Sequence, residues 1–518
     1  MKKLPVGYST LDKIINDNCV YVDKTKFVVD LVNSGSYYFL SRPRRFGKSL
    51  FLDTLKQAFL GNKELFSGLY LENNWDWGKV YPVIHISFAG SSAYLSEERL
   101  VGAIHDMLYE HAKKYNINLE FTDYGIGFNT LIRELYNKYN EKVVILIDEY
   151  DKPILDVIDD ISQAKINREI LKGLYSYVKD NDKYLKFVFL TGVSKFSKVS
   201  LFSGLNNLED ITLYARYADI CGYTQANIEH EFAQYIEYGY VDLVKLKKWY
   251  NGYNFAGKDL QKVYNPFDIL LFCSNNYIYK SYWFETATPT FLVKLFEKNQ
   301  YFVPDLESIT VSDKDMSTFD VDNMPIFTLL FQTGYLTIKE VTTIGTQLAY
   351  VLSYPNLEVK ASLNGSLADI GTTVENKGKY LSELDKILRA GKFDKLSAIF
   401  NSHFASIPHD WYRNNNISNY EGFYASLVYS YFCALGYDLI AEDVTNQGRI
   451  DLTIKMNDKI IIIEFKLSKY GNASDSIKQI KTLAYADKYT LSKLPVYLIG
   501  MSFDEKNKNI SDYMWEIV

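Results

Sequence analysis

The chain has 518 residues, 47% of them hydrophobic and 23% charged, and a net charge of −6. That length carries roughly two to four domains with filled cores. The negative balance excludes a protein that coats nucleic acid by bulk attraction, so any such contact is local.

No apolar run reaches the roughly 18 residues that a membrane-spanning helix needs, so no membrane contact is expected. The N-terminal "MKKLPVGYST" has no apolar run behind its two lysines and does not read as a signal peptide. Cys19, Cys221, Cys273 and Cys433 lie far apart and form no CxxC pair. They read as buried free thiols of a cytoplasmic protein.

The first 220 residues alternate short apolar runs with helical patterns. Strands are expected at "YYFLS" (37–41), "VIHISF" (83–88), "VVILID" (143–148) and "FVFLTG" (187–192). Continuous apolar runs of this length, alternating with helices, imply a parallel α/β sheet covered on both faces. After the first run comes "RPRRFGKS" (42–49), then "SLFLDTLKQAFL" (49–60), whose Leu50, Leu52, Leu55, Phe59 and Leu60 mark one core face of a helix. Strand, turn and helix in that order make a phosphate loop. Gly47 takes the turn, Lys48 reaches the terminal phosphates and the Ser49 hydroxyl serves Mg²⁺. The usual first glycine is replaced by Arg42, and Arg44 and Arg45 follow. These two either add charge beside the phosphates or pair with acids in the core.

"VVILIDEYDKP" (143–153) is an apolar strand that ends in Asp148 and Glu149, about 100 residues after Lys48. Carboxylates there face the ligand crevice of an open α/β sheet. Asp148 would hold Mg²⁺ and Glu149 would orient the attacking water. Thr191 or Ser194, at the end of the next strand, is either a γ-phosphate sensor or a helix-cap or turn residue.

"YVDKT" (21–25), "RPRRFGKS", "LIDEYDKP", "LTGVSKFSKVSLFSGLNNLEDIT" (190–212) and "YNGY" (250–253) closely resemble the AAA-ATPase-like family of prokaryotic proteins. Its members carry a C-terminal nuclease domain of the PD-(D/E)XK superfamily. The resemblance spans nearly the whole chain. In that family arginine in place of the first glycine is the norm. The resemblance implies an ATP-binding P-loop core with Lys48, Ser49, Asp148 and Glu149 in the roles given above, and Gly47 and Arg45 are counted with them as candidates for ATP binding.

From 225 to about 340 the pattern turns mainly helical, a strand or two follows to about 360, and a mostly helical stretch runs to about 415. The last hundred residues return to α+β. Three stretches are expected: a P-loop domain at 1–224, a mostly helical region at 225–400 and a restriction-endonuclease-like α/β domain at 401–518.

"GRIDLTIKMNDKIIIIEFKLSK" (448–469) places two apolar segments around Asn457-Asp458, a good hairpin turn. With that loop Met456 pairs with Lys459, and Asp451 falls opposite Glu464 with Cβ atoms about 4.5–5.5 Å apart. Lys466 shares their face because strand side chains alternate. Two carboxylates and a lysine on one face suit Mg²⁺-dependent phosphodiester cleavage. Glu421, near the start of the helix in "NYEGFYASLVYSYFCALGYDLIAED" (419–443), is a further metal-linked candidate or a plain helix-terminal charge. Gln479 and Tyr485, in "SIKQIKTLAYADKY" (476–489), match positions beside the site in the superfamily. From 400 to 518 there are 12 Lys and Arg against 14 Asp and Glu, a balance of −2. The expected partner is nucleic acid, DNA ahead of RNA, held by a local patch or by Mg²⁺. An oligomer is left open.

Overall fold

The apolar runs become strands where the sequence places them. In the computed structural model, β1 spans Tyr37–Ser41, β2 Val83–Ser87, β3 Val143–Asp148, β4 Leu185–Gly192 and β5 Glu209–Asp210. They form one sheet in the order β2-β3-β4-β1-β5, parallel throughout. All six residues of β3 are buried, as a strand covered on both faces requires. β4 begins two residues before the expected "FVFLTG" because Leu185 pairs with Val143 across the sheet.

The structure describes residues 1–90, 94–196, 201, 202, 205, 207–257, 261–284, 302–316, 320, 321, 325–368, 374–406, 421–504 and 506–518. The expected helical residues 407–415, the start of "NYEGF" at 419 and 420, and part of "LTGVSKFSKVSLFSGLNNLEDIT" lie outside them. The chain forms two units. Met1–Trp283 with Thr310–Pro355 make the first, and Phe284–Ile309 with Asn356–Val518 make the second.

In the first unit the helix Lys48–Phe59 follows β1 and buries Phe51, Leu52, Leu55, Ala58 and Phe59. Side-chain caps begin the next long helices. Ser96 accepts from Arg99 N–H ahead of Glu97–Lys114, and Asp123 accepts from Ile126 N–H ahead of Tyr124–Tyr139. Asp160 accepts from Ser162 and Gln163 ahead of Ile161–Asp180. Each cap satisfies an otherwise unpartnered N–H. Between 225 and 340 helices predominate, including Leu243–Tyr250, Pro266–Ser274 and Ile326–Thr333. The short strands β6, Tyr223–Thr224, and β7, Val263–Tyr264, pair antiparallel. The strand expected between 340 and 360 is β10, Gln347–Ser353, which forms a hairpin with β9, Thr337–Ile344, with β8, Ile309–Ser312, beside β10; the rest of that stretch begins the helix Leu357–Leu367.

The second unit holds a mixed sheet of β11, Asp438–Val444; β12, Arg449–Lys455; β13, Ile460–Leu467; β14, Val496–Asp504; and β15, Asn509–Ile517, in that order. β13 pairs antiparallel with β12 and parallel with β14. The helix Ala473–Thr482 starts on an Asn472–Asp475 capping box and packs hard on this sheet. A Cβ at Gly500 of β14 would stand 2.3 Å from the Ala473 carbonyl oxygen. Only glycine permits that approach, and it sets where the helix presents Gln479. Among the described residues no helix is long and apolar enough to cross a membrane.

Candidate functional site

The phosphate-type loop joins β1 to the helix Lys48–Phe59. Its backbone turns through positive φ at Arg45 (68°) and Gly47 (94°), a pattern that converges N–H groups into an anion-binding concavity. A Cβ at Gly47 would touch nothing within 4 Å, so glycine is needed there for its dihedral alone. Lys48 is 7% exposed. Its ammonium donates to the loop's own carbonyls, 2.9 Å to Arg42 and 3.0 Å to Pro43. Burial lowers its pKa, and the charges of Asp148, Glu149 and Asp151 oppose that shift.

The three arginines separate. Arg42 is 1% exposed and donates to the carbonyls of Ser41 at 2.8 Å, Thr212 at 2.9 Å and Tyr217 at 2.9 Å. Its guanidinium lies 4.1 Å from the centre of the Phe255 ring. Burial pulls its pKa down to about 10. Arg42 therefore faces the core and ties the loop to residues 212–217. Arg44 and Arg45 are exposed, and Arg45 stacks 4.8 Å from the Phe267 ring centre.

Asp148 ends β3 with 3% exposure, and the Ser49 hydroxyl lies close enough to its carboxylate to favour the charged form. Burial raises its pKa, while Ser49 and Lys48 work the other way. Lys48, Ser49 and Asp148 are thus brought together. Glu149 follows at φ 49°, its N–H 3.0 Å from Asp148 Oδ1. Thr191 and Ser194 are fully buried and already engaged. Thr191 donates to the Leu40 carbonyl at 2.9 Å, and Ser194 to Asp151 at 2.5 Å. Asp151 also accepts the N–H groups of Val193 and Ser194, at 3.1 and 2.6 Å. This aspartate clamps the loop after β4, and the sequence reading passed over it. Its only signal was a third acid in "DEYD". Cys221, 3% exposed, lies within electrostatic reach of Arg42 and Lys48, and burial raises its thiol pKa.

In the second unit the β12–β13 ladder runs from Lys455 opposite Ile460 to Leu452 opposite Ile463. Met456 N–H closes it on the Lys459 carbonyl at 2.9 Å. This is the register that the Asn457-Asp458 turn implies, and the paired residues end at Leu452 and Ile463, one step short of Asp451 and Glu464. Asp451 Oδ2 accepts from Phe465 N–H at 2.7 Å. Glu464 is 2% exposed. The Gln479 amide joins the other two groups: its Nε2 donates to Glu464 Oε1, and its Oε1 accepts from Lys466 Nζ at 2.6 Å. Burial raises the pKa of the nearby Tyr485 hydroxyl, with Glu464 and Asp451 adding to the shift and Gln479 opposing it.

Glu421 is the first residue of the helix Glu421–Ala434. The next residue, Gly422, lines a cleft together with Asp451 and Glu442. Glu442, on β11, also escaped the sequence reading, because its place beside Asp451 depends on a third strand. The Glu442 carboxylate is ion-paired with Arg449 at 3.1 Å, so the carboxylates on adjoining strands that fit Mg²⁺, which binds through one or two carboxylates and keeps several waters, are Asp451 and Glu464. Among the described residues no group of three or more His, Cys, Asp or Glu is gathered.

Residues 5–202 match the family model described as "Predicted AAA-ATPase", and residues 419–513 match that of the PD-(D/E)XK nuclease superfamily. A chain of Azotobacter chroococcum mcd 1, described as "Uncharacterized protein in vnfD 5'region", is 45% identical over 524 residues, covering 99% of each chain. No solved structure matches. With a full-length relative at that identity and both domain matches in place, the chain belongs to the AAA-ATPase-like family with a C-terminal PD-(D/E)XK nuclease superfamily domain.

Proposed function

We propose that this cytoplasmic protein binds and hydrolyses ATP in its first unit and cleaves phosphodiester bonds of nucleic acid, DNA ahead of RNA, in its second. The observation that carries the nuclease reading is the Gln479 amide bonded at once to Glu464 and Lys466, beside Asp451. Bound there, Mg²⁺ would polarise the scissile phosphate and make a bound water more acidic. Asp451 and Glu464 are its proposed holders, with Glu421 a third. Lys466 orients the nucleophile and stabilises charge that develops on the phosphate. Gln479 keeps the ammonium and the carboxylate at fixed spacing.

For ATP, Gly47 gives the loop its turn, Lys48 reaches the terminal phosphates and Arg45 adds charge at the rim. Ser49 and Asp148 would hold the nucleotide's Mg²⁺, and Glu149 orients the attacking water. What supports it is the loop that turns through Arg45 and Gly47 with buried Lys48 and the Ser49 hydroxyl close to the Asp148 carboxylate.

Asp451→Ala and Lys466→Ala should each abolish Mg²⁺-dependent cleavage and leave ATP binding intact, while Lys48→Ala should do the reverse to ATP binding. Cleavage that survives in purified Asp451→Ala protein overturns the nuclease assignment. The negative balance of residues 400–518, 12 basic against 14 acidic, favours a second reading, a nucleotide-dependent switch that binds nucleic acid or a protein partner without cutting. Nicking of plasmid and RNA with Mg²⁺, with and without ATP, separates the two.

A further inference from the structure

In the first unit two neighbouring loops carry an aromatic surface that folding leaves in solvent. One ends the helix Ala233–Tyr238 and the other follows the helix Pro266–Ser274. Tyr238 is 69% exposed, Tyr240 95% and Ile278 52%. The loops touch. The Tyr238 and Tyr277 ring centres are 6.4 Å apart, and a Cβ at Gly239 would stand 2.6 Å from the Tyr277 ring. Tyr240 and Tyr277 both have positive φ, 48° and 58°, which bulky side chains rarely adopt. Tyr240 holds the left-handed position that ends a helix, where glycine is usual, with the next N–H, of Val241, bonded back to the Ile236 carbonyl at 3.0 Å. Core packing does not offset the strain at a residue that lies almost wholly in water. Strain kept without packing points to a contact made in function.

Lysines border this surface. The helix Leu243–Tyr250 buries Leu246 and Tyr250 and leaves Val244, Lys245, Lys247 and Lys248 exposed. Lys245 Nζ lies 4.2 Å from the Tyr279 ring centre, and Trp249 packs on the same ring at 5.5 Å. The acids of 237–249 are Glu237 and Asp242, and Asp242 caps this helix by accepting from the Val244 and Lys245 N–H groups. The helix dipole favours Lys247 and Lys248 in the last turn, but that asks for no exposed tyrosine beside them.

A single strand of nucleic acid uses both features, since its phosphates pair with ammonium groups and its unpaired bases stack on aromatic faces. A duplex keeps its bases stacked inside and leaves the tyrosines unused. A bilayer asks for a wider apolar face than Val244 and Ile278 provide. Residues 400–518, with 12 basic against 14 acidic, supply little attraction for phosphate themselves. We propose that this surface of the first unit binds single-stranded nucleic acid, with Lys245, Lys247 and Lys248 on phosphates and Tyr238 and Tyr240 against bases. The inference rests on the nuclease reading only for the choice of polymer.

The test is fluorescence anisotropy on the full chain in EDTA, where no cleavage intervenes. The probes are a labelled DNA strand, an RNA strand of the same sequence and the blunt DNA duplex, and the tighter-bound strand identifies the sugar. Lys245→Ala, Lys247→Ala and Lys248→Ala together should make the slope of log affinity against log salt shallower by about 2, at about 0.7 per phosphate of a single strand. Tyr240→Gly should weaken strand binding about tenfold, the order of one lost base stack, and leave duplex and ATP binding unchanged. It should also raise the melting temperature, because glycine takes that φ without strain. A tyrosine with a merely structural role would not lose binding while melting rises. Strand binding that is absent from the wild type, or kept at its level in both variants, overturns the proposal. So does tighter binding of the duplex than of either strand. So does binding to vesicles of phosphatidylcholine and phosphatidylglycerol that the variants lose while they keep strand binding. Strand binding lost in the variants, with no Mg²⁺-dependent cutting of any substrate by the wild type, would fail the nuclease reading and leave this one standing. Cutting by the wild type, with strand binding unaltered in the variants, would do the opposite.

Discussion

Arg42 occupies the position where a phosphate loop ordinarily has glycine, and it does so by turning its side chain into the core. Three carbonyls accept from one planar fork inside the core. Arg42→Ala should therefore destabilise the first unit by about 3 kcal/mol through buried carbonyls left without donors. Urea unfolding measures this. Arg42→Lys should not restore it, since a point ammonium cannot span the same carbonyls. Alanine at exposed Arg44 should leave stability unchanged. A different consequence follows at Asp148. Burial raises its pKa, so it takes up a proton at a pH above the ordinary aspartate range, and only the carboxylate form can hold a metal. Lys48 shifts downward and so loses its charge at a lower pH than an ordinary lysine. Mg²⁺–ATP affinity should fall on both the acid and the alkaline side of neutrality. Asp148→Asn should remove the acid-side step in a titration of affinity against pH.

Among the elements, the β12–β13 hairpin was the most legible in sequence. Its turn residues and strand lengths fix the register, and the register fixes which residue faces which. The four parallel strands were equally plain, because runs such as Val143–Asp148 are buried on both faces. Gln479 could be located on a helix but its partners could not be read. They depend on how closely that helix approaches the sheet at Gly500, a packing fact with no local signature. Arg42 was opaque for the same reason, since two of its acceptors lie at residues 212 and 217. Gln479→Ala should lower cleavage about 10–100-fold, the usual cost of removing a group that orients a ligand or catalytic side chain. The loss should appear in kcat rather than in nucleic-acid affinity, and helix content by circular dichroism should stay unchanged. Equal loss in nucleic-acid affinity would mean that Gln479 contacts substrate.

At the scale of the whole molecule the chain crosses between its units more than once. Phe284–Ile309 belongs to the second unit, and Thr310–Pro355 returns to the first. No glycine- or proline-rich linker marks these passages, so composition does not reveal them. Stability at this scale should depend on acid. Burial pushes His403 and His85 down to about 4, so both are neutral in the folded protein at pH 6, whereas in the unfolded chain they titrate near the ordinary 6.5. The unfolded state gains protons first, and stability present above pH 6.5 is lost as the pH falls toward 4. For His403, 1% exposed, the loss is on the order of 3 kcal/mol. Urea midpoints measured from pH 8 to pH 4 should show the decline, and His403→Phe should make it shallower.

The four cysteines, all free and all buried, give the molecule native chemical reporters. Cys221 precedes Gly222, whose N–H is bonded to the Phe46 carbonyl of the phosphate loop at 3.2 Å. Cys433 lies in the helix Glu421–Ala434 of the other unit, its thiol pushed up to about 12 by burial. A thiol-directed reagent reaches either sulfur only when the surrounding packing opens. Its rate of attack at Cys221 therefore times the breathing of the loop, and at Cys433 that of the second unit, in the unmodified chain.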